Sequence, residues 1–342
     1  MLTCASLLQQ KKGEAMMHNY TIGSIYHIAR ADFLQRIRSY YFLIGLGACV
    51  FLIYSFVPPP DAGYTMVSLG NYRGFYNSAW IGSMVANCVP FFALIGFYVV
   101  NYAVKRDVDT GVGQIIATTR IKSLQYLTGK LLSNYAVLLL MLLVIAIMTI
   151  VMFMVRGETS HMEFGKLLLP LLVLTVPAMF IVAALAIFFD TLPGVGRSVI
   201  NIIYFFLWIF LLASSMSHPF LDVLSMNTTL TEVKNSIAAL NPDWNGDSGT
   251  GILIRGSNVN LKVFNWEGMN WTTSLILQRI FWMLMAFGLI LIASLGFNRF
   301  DTSNIKERKL RTPGFFKKKA GLIEDIFIPS QIKFRDVPPP EA

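Results

Sequence analysis

Residues 135–155 read YAVLLLMLLVIAIMTIVMFMV, 21 positions with no charge and no proline. At about 1.5 Å per residue, such a stretch makes a helix roughly 30 Å long, the thickness of a bilayer's hydrocarbon core. It shows no polar/apolar alternation, so it is not a barrel strand. Within lipid the remaining way to satisfy every backbone N–H and C=O is a helix. Five further runs have the same character: Tyr40–Val57, Ile81–Val104, Leu167–Phe189, Val199–Met216 and Ile280–Phe297. The chain has 342 residues, 55% of them apolar and 14% charged. An average soluble domain carries roughly 25% charged residues. The expected fold class is therefore an all-α membrane protein with six transmembrane helices.

Lys and Arg set the expected orientation. Of the 28 basic residues, 21 fall on the side shared by both termini. The positive-inside tendency puts that side in the cytoplasm of a multi-pass protein in the cell membrane. The net charge of +9 is then a topological signal with some attraction to anionic membrane lipid, and no nucleic-acid partner is expected. Residues 1–19 read as a disordered lead, with Met1, Met16 and Met17 as alternative starts. Residues 20–39 place Ile22, Ile25, Ile28, Phe33, Leu34 and Ile37 at helical spacing, with Arg30, Arg36 and Arg38 between them. A basic amphipathic helix of this kind lies in the headgroup plane or in solution beside it. Residues 40–300 form the transmembrane domain and 301–342 a basic tail.

The largest extramembrane piece is 217–279, expected outside as a small subdomain between the fifth and sixth helices. Within it, 251–255 and 259–264 read as two strands of a hairpin around Gly256-Ser257-Asn258. Trp266 and Trp271 are expected at the membrane boundary, where aromatic belts sit. This segment either contacts a substrate or caps the helices.

The chemistry left out of the chain narrows its role. Gly129-Lys130 is followed by Leu131, so no phosphate-cradling loop of the GxxxxGK[ST] type exists. The four histidines are scattered and no zinc-ligand spacing occurs. There is no GxSxG elbow. No catalytic residue, metal ligand or bound cofactor is expected. The six apolar runs hold no ionisable side chain well inside, whereas ion-coupled transporters need such groups at membrane depth. Asn87, Asn101 and Asn201 are the polar positions left either to line a pathway or to bond helix to helix. Asn87 precedes Cys88 and Pro90, which marks a kink in the second run.

A chain with no energy source of its own and a silent membrane interior directs attention to its longest internal loop. Residues 105–133 contain Asp109 and Thr110, which can cap a helix, then Ile115 and Ile116, a bend near Thr118–Arg120, and Leu124, Leu127 and Leu131 leading into the third run. A short helix across the inner mouth, followed by a helix rising into the membrane, is the expected result. Lys130 taken alone reads equally well as a membrane-end lysine whose ammonium reaches to the headgroups.

This loop resembles that of the permease subunits of type-2 ABC exporters. Their pattern is an acidic residue, any residue, Gly-Thr, an apolar stretch, Thr-Pro, and then Gly-Lys. Asp109, Gly111, Thr119, Gly129 and Lys130 occupy matching positions with the spacing kept. Val112 and Arg120 depart from it, standing where the family has Thr and Pro. The resemblance implies that residues 20–39 are an amphipathic connector helix, with Arg30, Phe33 and Arg36 on it. It implies that Asp109, Thr110, Gly111, Gly113, Ile116, Thr119, Arg120, Gly129 and Lys130 couple the permease to an ATPase. The partners implied are a cytoplasmic ABC ATPase carrying ATP and Mg, and a second permease copy or paralogue.

Two other readings remain open at this level. A membrane-bound enzyme or maturation factor would draw on Asp243, Asp247 and Glu267 of the external segment. A non-transporting sensor or scaffold would use that segment for binding and the tail for signalling.

Overall fold

A computed structural model describes residues 22–241, 244, 246, 248–254 and 261–297. The lead 1–19, the tail 301–342, the turn Gly256-Ser257-Asn258, Asp243 and Asp247 lie outside the described residues.

In chain order the elements begin with α1 (Ile22–Ile37) and α2 (Tyr40–Phe56), then β1 (Tyr64–Ser68) and β2 (Tyr72–Gly74). Next come α3 (Ser78–Ala86), α4 (Val89–Val100), α5 (Ala103–Asp109) and α6 (Val112–Ala117). They are followed by α7 (Ser123–Arg156), α8 (Phe164–Asp190), α9 (Arg197–Ser217) and α10 (Met226–Leu240). The last are β3 (Gly249–Ile254), β4 (Lys262–Phe264) and α11 (Thr273–Gly296). Four helices, α7, α8, α9 and α11, are long and apolar enough to cross a bilayer. Two bent pairs raise the number to six if each counts as one crossing: α1 with α2, at 69°, and α3 with α4–α5, at 46°. The chain is thus a mostly helical, multi-pass membrane protein with four to six crossing helices.

The helices sort by what they bury. α8 lies at the centre and packs on α3, α4, α7 and α11. Half of its length is inaccessible, including Leu171, Leu174, Ala178, Ala183 and Ile187. The helix continues through Pro170 and Pro177, as membrane helices can when neighbours re-satisfy the freed carbonyls. α9 buries only Ile200, Tyr204 and Ser215, and turns Phe206 and Phe210 outward, as a lipid-facing helix does. Between α3 and α8 the backbones approach so closely that a Cβ on Gly82 would stand 2.4 Å from the Leu167 carbonyl oxygen. Small residues at such crossings replace the hydrophobic driving force that lipid removes.

The long α7 has 34 residues, about 51 Å of helix, more than the hydrocarbon core needs. Part of it therefore extends beyond the apolar layer. The expected short helix, bend and rising helix are present as α6, Thr118–Lys122 and α7. Gln125 Oε1 accepts the Lys122 N–H at 2.9 Å and fixes the start of α7.

Several expectations need correction. The second apolar run, Ile81–Val104, is not one helix: α3 ends at Ala86, α4 starts at Val89, and α5 starts after Asn101 and Tyr102. The first break is the anticipated kink, because Pro90 has no N–H to give and its ring excludes the helical turn before it. The second arises because the Asn101 side-chain oxygen accepts the Tyr102 N–H at 2.8 Å, and Tyr102 adopts φ 75°. The strands β3 and β4 exist but do not form a hairpin with each other. β3 pairs antiparallel with β1, Tyr64 opposite Ile254, and β4 pairs parallel with β2, Tyr72 opposite Lys262. The partners thus come from the connection between the first two apolar runs, residues 58–80. Trp266 does not sit in a belt: it is 1% exposed, edge-on to Trp80, and donates to Ser236 Oγ at 3.3 Å. The sixth run starts earlier than Ile280. α11 begins at Thr273, and Gln278 and Arg279 are absorbed because each has carbonyls to bind, Pro219 and Phe220 for the amide and Asp222 for the guanidinium.

The strand layer and α10 gather where α3 begins, α7 ends and α8 begins. Arg73 makes a two-pronged pair with Glu158, at 2.7 and 2.8 Å. Hydrogen bonding to that guanidinium, with the Tyr76 N–H added, holds the Glu158 carboxyl below its ordinary range. Asn77 caps α3 by accepting the Trp80 N–H and also donates to the Trp266 carbonyl, at 2.8 and 2.7 Å. At the opposite end, where α7 begins and α8 ends, lie α1, α5 and α6.

Candidate functional site

Of the matched loop residues, Lys130 belongs to a charge cluster at this second end, and Gly129 stands beside it at the contact with α1. The centre of the cluster is Asp32, on the inward face of α1 and 4% exposed. Asp32 Oδ1 accepts from Lys130 Nζ at 2.8 Å and from Arg106. Its Oδ2 accepts from Arg36 Nε and Ser133 Oγ, each at 2.9 Å. Lys130 also pairs with Asp107 Oδ2 at 2.8 Å, and Tyr126 donates its hydroxyl to the same oxygen at 2.8 Å. Arg36 Nη1 reaches the Val100 carbonyl at 2.6 Å.

Local sequence explains each placement. Asp32 and Arg36 are one helical turn apart on α1 and share a face. Tyr126, Lys130 and Ser133 recur at intervals of four and three on the first turns of α7 and share another. Gly129 lets the two helices meet, since a Cβ there would stand 2.9 Å from Ile28 Cγ2 and 3.2 Å from the Ile25 carbonyl. Arg106 and Asp107 come from α5, and Val100 from the end of α4. Five side chains from α1, α5 and α7 therefore form one ionic unit.

Three cations face two carboxylates. Burial pushes the Asp32 carboxyl upward, but Arg36, Lys130 and Arg106 outweigh it and hold the group well below the usual carboxylate range. The Arg106 side chain is 22% exposed, so the excess positive charge meets solvent or headgroups rather than apolar protein. Breaking one partner out of such a set leaves an uncompensated buried charge, which is why the set acts as a unit.

Around it, a second group of contacts holds the α4–α5 junction. Asp190, at the end of α8, accepts the Tyr102 and Val104 N–H groups at 3.2 and 3.0 Å. Tyr102 donates its hydroxyl to Asp109, and its ring lies 4.7 Å from the Arg197 guanidinium carbon. Asn101 Nδ2 donates to Asn201 Oδ1 at 2.8 Å, tying α4 to α9.

The fate of each anticipated residue follows. Lys130 is 3% exposed and doubly paired, so its reading as a free membrane-end lysine is replaced by an ion-paired one. Gly129 is the α1 contact point. Asp109 bonds Tyr102, and Thr110 closes α5 by donating to the Arg106 carbonyl at 2.9 Å. Gly111 takes φ 75°, a left-handed turn that separates α5 from α6 and suits glycine. Gly113 is buried, and Ile116 packs half-buried on the core. Thr119 donates to the Ile116 carbonyl at 2.6 Å and so builds the bend without a proline, while Arg120 is exposed. On α1, Arg36 belongs to the cluster, Phe33 packs beside it, and Arg30 points outward. Asn101 and Asn201 are joined, but Asn87 stands apart and its Oδ1 has no partner among the described residues. Glu267 is exposed, and no three His, Cys, Asp or Glu side chains converge to hold a metal among the described residues.

Asp32, Arg106, Asp107, Tyr126 and Ser133 were not singled out from sequence. The available signal was the Asp32–Arg36 spacing on an amphipathic helix, and a carboxylate at that position on a basic face invites a cation from elsewhere.

Below the cluster, the short α6 presents apolar side chains outward: Val112 is 43% and Ile115 69% exposed, with Val108 of α5 at 38%. A scan of protein-family models finds no match to the chain, and neither curated proteins nor solved structures yield one.

Proposed function

We propose that this chain is the membrane subunit of an ATP-driven exporter of the type-2 ABC class. In this reading it crosses the membrane six times with both termini in the cytoplasm. The bent α3–α4 pair is one crossing, α2 is another, and α1 lies along the inner surface as a connector helix. A separate ABC ATPase docks on α6 and supplies the energy. A second permease copy or paralogue completes the pathway. The strand layer and α10 form a small external subdomain.

The observation that carries the reading is the Asp32 cluster. It makes α1, α5 and the foot of α7 one mechanical body, with the apolar surface of α6 attached to it through Gly111. A push on α6 is thereby delivered to the end of a helix about 51 Å long that runs through the bundle. Rigid elements joined by buried charge pairs carry displacement because they do not deform continuously. Lipid-buried ionisable groups that would serve ion coupling are not needed in such a machine.

Purification of the tagged full chain from its native membrane in mild detergent tests the assignment. Recovery of an ATPase subunit with a GxxxxGK[ST] loop, in stable ratio to this chain, is expected. Recovery of the chain without any such subunit overturns it.

A further inference from the structure

Between α1 and α7 lies a groove of about 450 Å³ lined by Ile22, Ile25, Tyr26, Ala29, Phe33, Leu132 and Ala136, with Ser133 on its floor and Arg30 on its rim. Ser133 already donates its hydroxyl to Asp32. The groove also opens sideways: Ile22 is 53%, Tyr26 59% and Leu132 43% exposed. α1 turns away from α2 by 69°, so where α2 stands across the bilayer, α1 runs along its surface.

Charge selects the occupant further. Arg30 is exposed, and no ion pair with it occurs among the described residues. The cluster directly behind the groove carries three cations against two carboxylates. An apolar slot with a free guanidinium at its mouth, set on a basic amphipathic helix, matches a lipid with a negative headgroup. We propose that the groove between α1 and α7 holds an acyl chain of an anionic phospholipid, with the headgroup on Arg30. The bound lipid fills the space between the two helices next to the Asp32–Ser133 hydrogen bond. It is therefore part of what keeps α1 seated on the foot of α7. The site rests on the proposed placement of α1 along the membrane surface, but not on an ATPase partner.

The test uses the full chain in nanodiscs containing a trace of phosphatidylglycerol with a diazirine in its acyl chain, or the matching phosphatidylcholine, followed by peptide mapping of the adducts. Phosphatidylglycerol adducts are expected on residues 22–33 and 132–136, exceeding those of phosphatidylcholine by roughly fivefold, the effect of one well-placed cation near a headgroup. Arg30→Gln removes that preference and Arg30→Lys keeps it. Ala29→Trp fills the groove and lowers adducts at Leu132 and Ala136 for both lipids, while labelling of the lipid-facing α9 is unchanged and reports an intact fold. Equal groove labelling by the two lipids overturns the proposal. So do groove adducts no denser than those on α9.

Discussion

Asp32→Asn lowers the stability of the protein by about 3–5 kcal/mol, the cost of removing one partner from a buried ion-pair set. The amide keeps the shape of the carboxylate but not its charge. Lys130, buried at 3% exposure, is then left with Asp107, and Arg36, at 4%, loses its one ion-pair partner among the described residues. The loss appears as a fall in the thermal unfolding midpoint of the detergent-solubilised chain. It also has a pH signature. Because the folded Asp32 carboxyl is held below its unfolded value, its contribution is fully present above the unfolded pKa, roughly 4, and is lost as pH falls through the lower folded value. The parent protein should therefore lose stability as pH drops below roughly 4, and Asp32→Asn should show a flatter acid limb. Replacing Lys130 with Met in the same chain should return part of the lost stability, since the orphaned cation is then gone. An Asp32→Asn variant as stable as the parent would show that the cluster does not bind α1 to α7.

Ile115→Asp is expected to do the reverse: leave the fold alone and abolish coupling. Ile115 is 69% exposed on α6, so the isolated chain should change in stability by no more than about 0.5 kcal/mol. If α6 seats in a groove of an ATPase, a carboxylate at the centre of that contact is desolvated without a partner. Central interface residues typically carry about 2–4 kcal/mol, which is thirtyfold or more in affinity. The readouts are the ATPase recovered with the chain and the ATP-dependent transport that it drives. Loss of stability with Ile115→Asp, or full ATPase recovery, would each contradict the assigned role of α6.

How much of this was legible depends on how local the physics is. The crossing helices α7, α8, α9 and α11 follow from uninterrupted apolar runs, because length and hydropathy alone decide whether a helix can cross lipid. The kink at Cys88–Val89 was legible for the same reason: Pro90 acts on its own neighbours. The pairing of β1 with β3 and of β2 with β4 was not, since strands of three to six residues say nothing about partners about 190 positions away. Trp266 was misassigned because an aromatic beside an apolar run reads as a belt residue unless its packing against Trp80 is known. The candidate site was half visible. Gly129 and Lys130 carried a pattern, but the carboxylate that explains Lys130 lies 98 positions earlier, on a helix whose basic residues drew the attention. Asp107 was hidden in a charged stretch with Lys105 and Arg106, where a solvated loop was the simplest account.

The central claim is that α6 is the point where an ATPase meets this chain. A photoreactive amino acid placed at Ile115 in the full-length protein, irradiated in native membranes, tests it most directly. One dominant adduct is expected, a cytoplasmic subunit that hydrolyses ATP, lost when the same group is placed at the outward-facing Phe206. An Ile115 adduct with lipid, or none with an ATPase while Phe206 behaves identically, would contradict it.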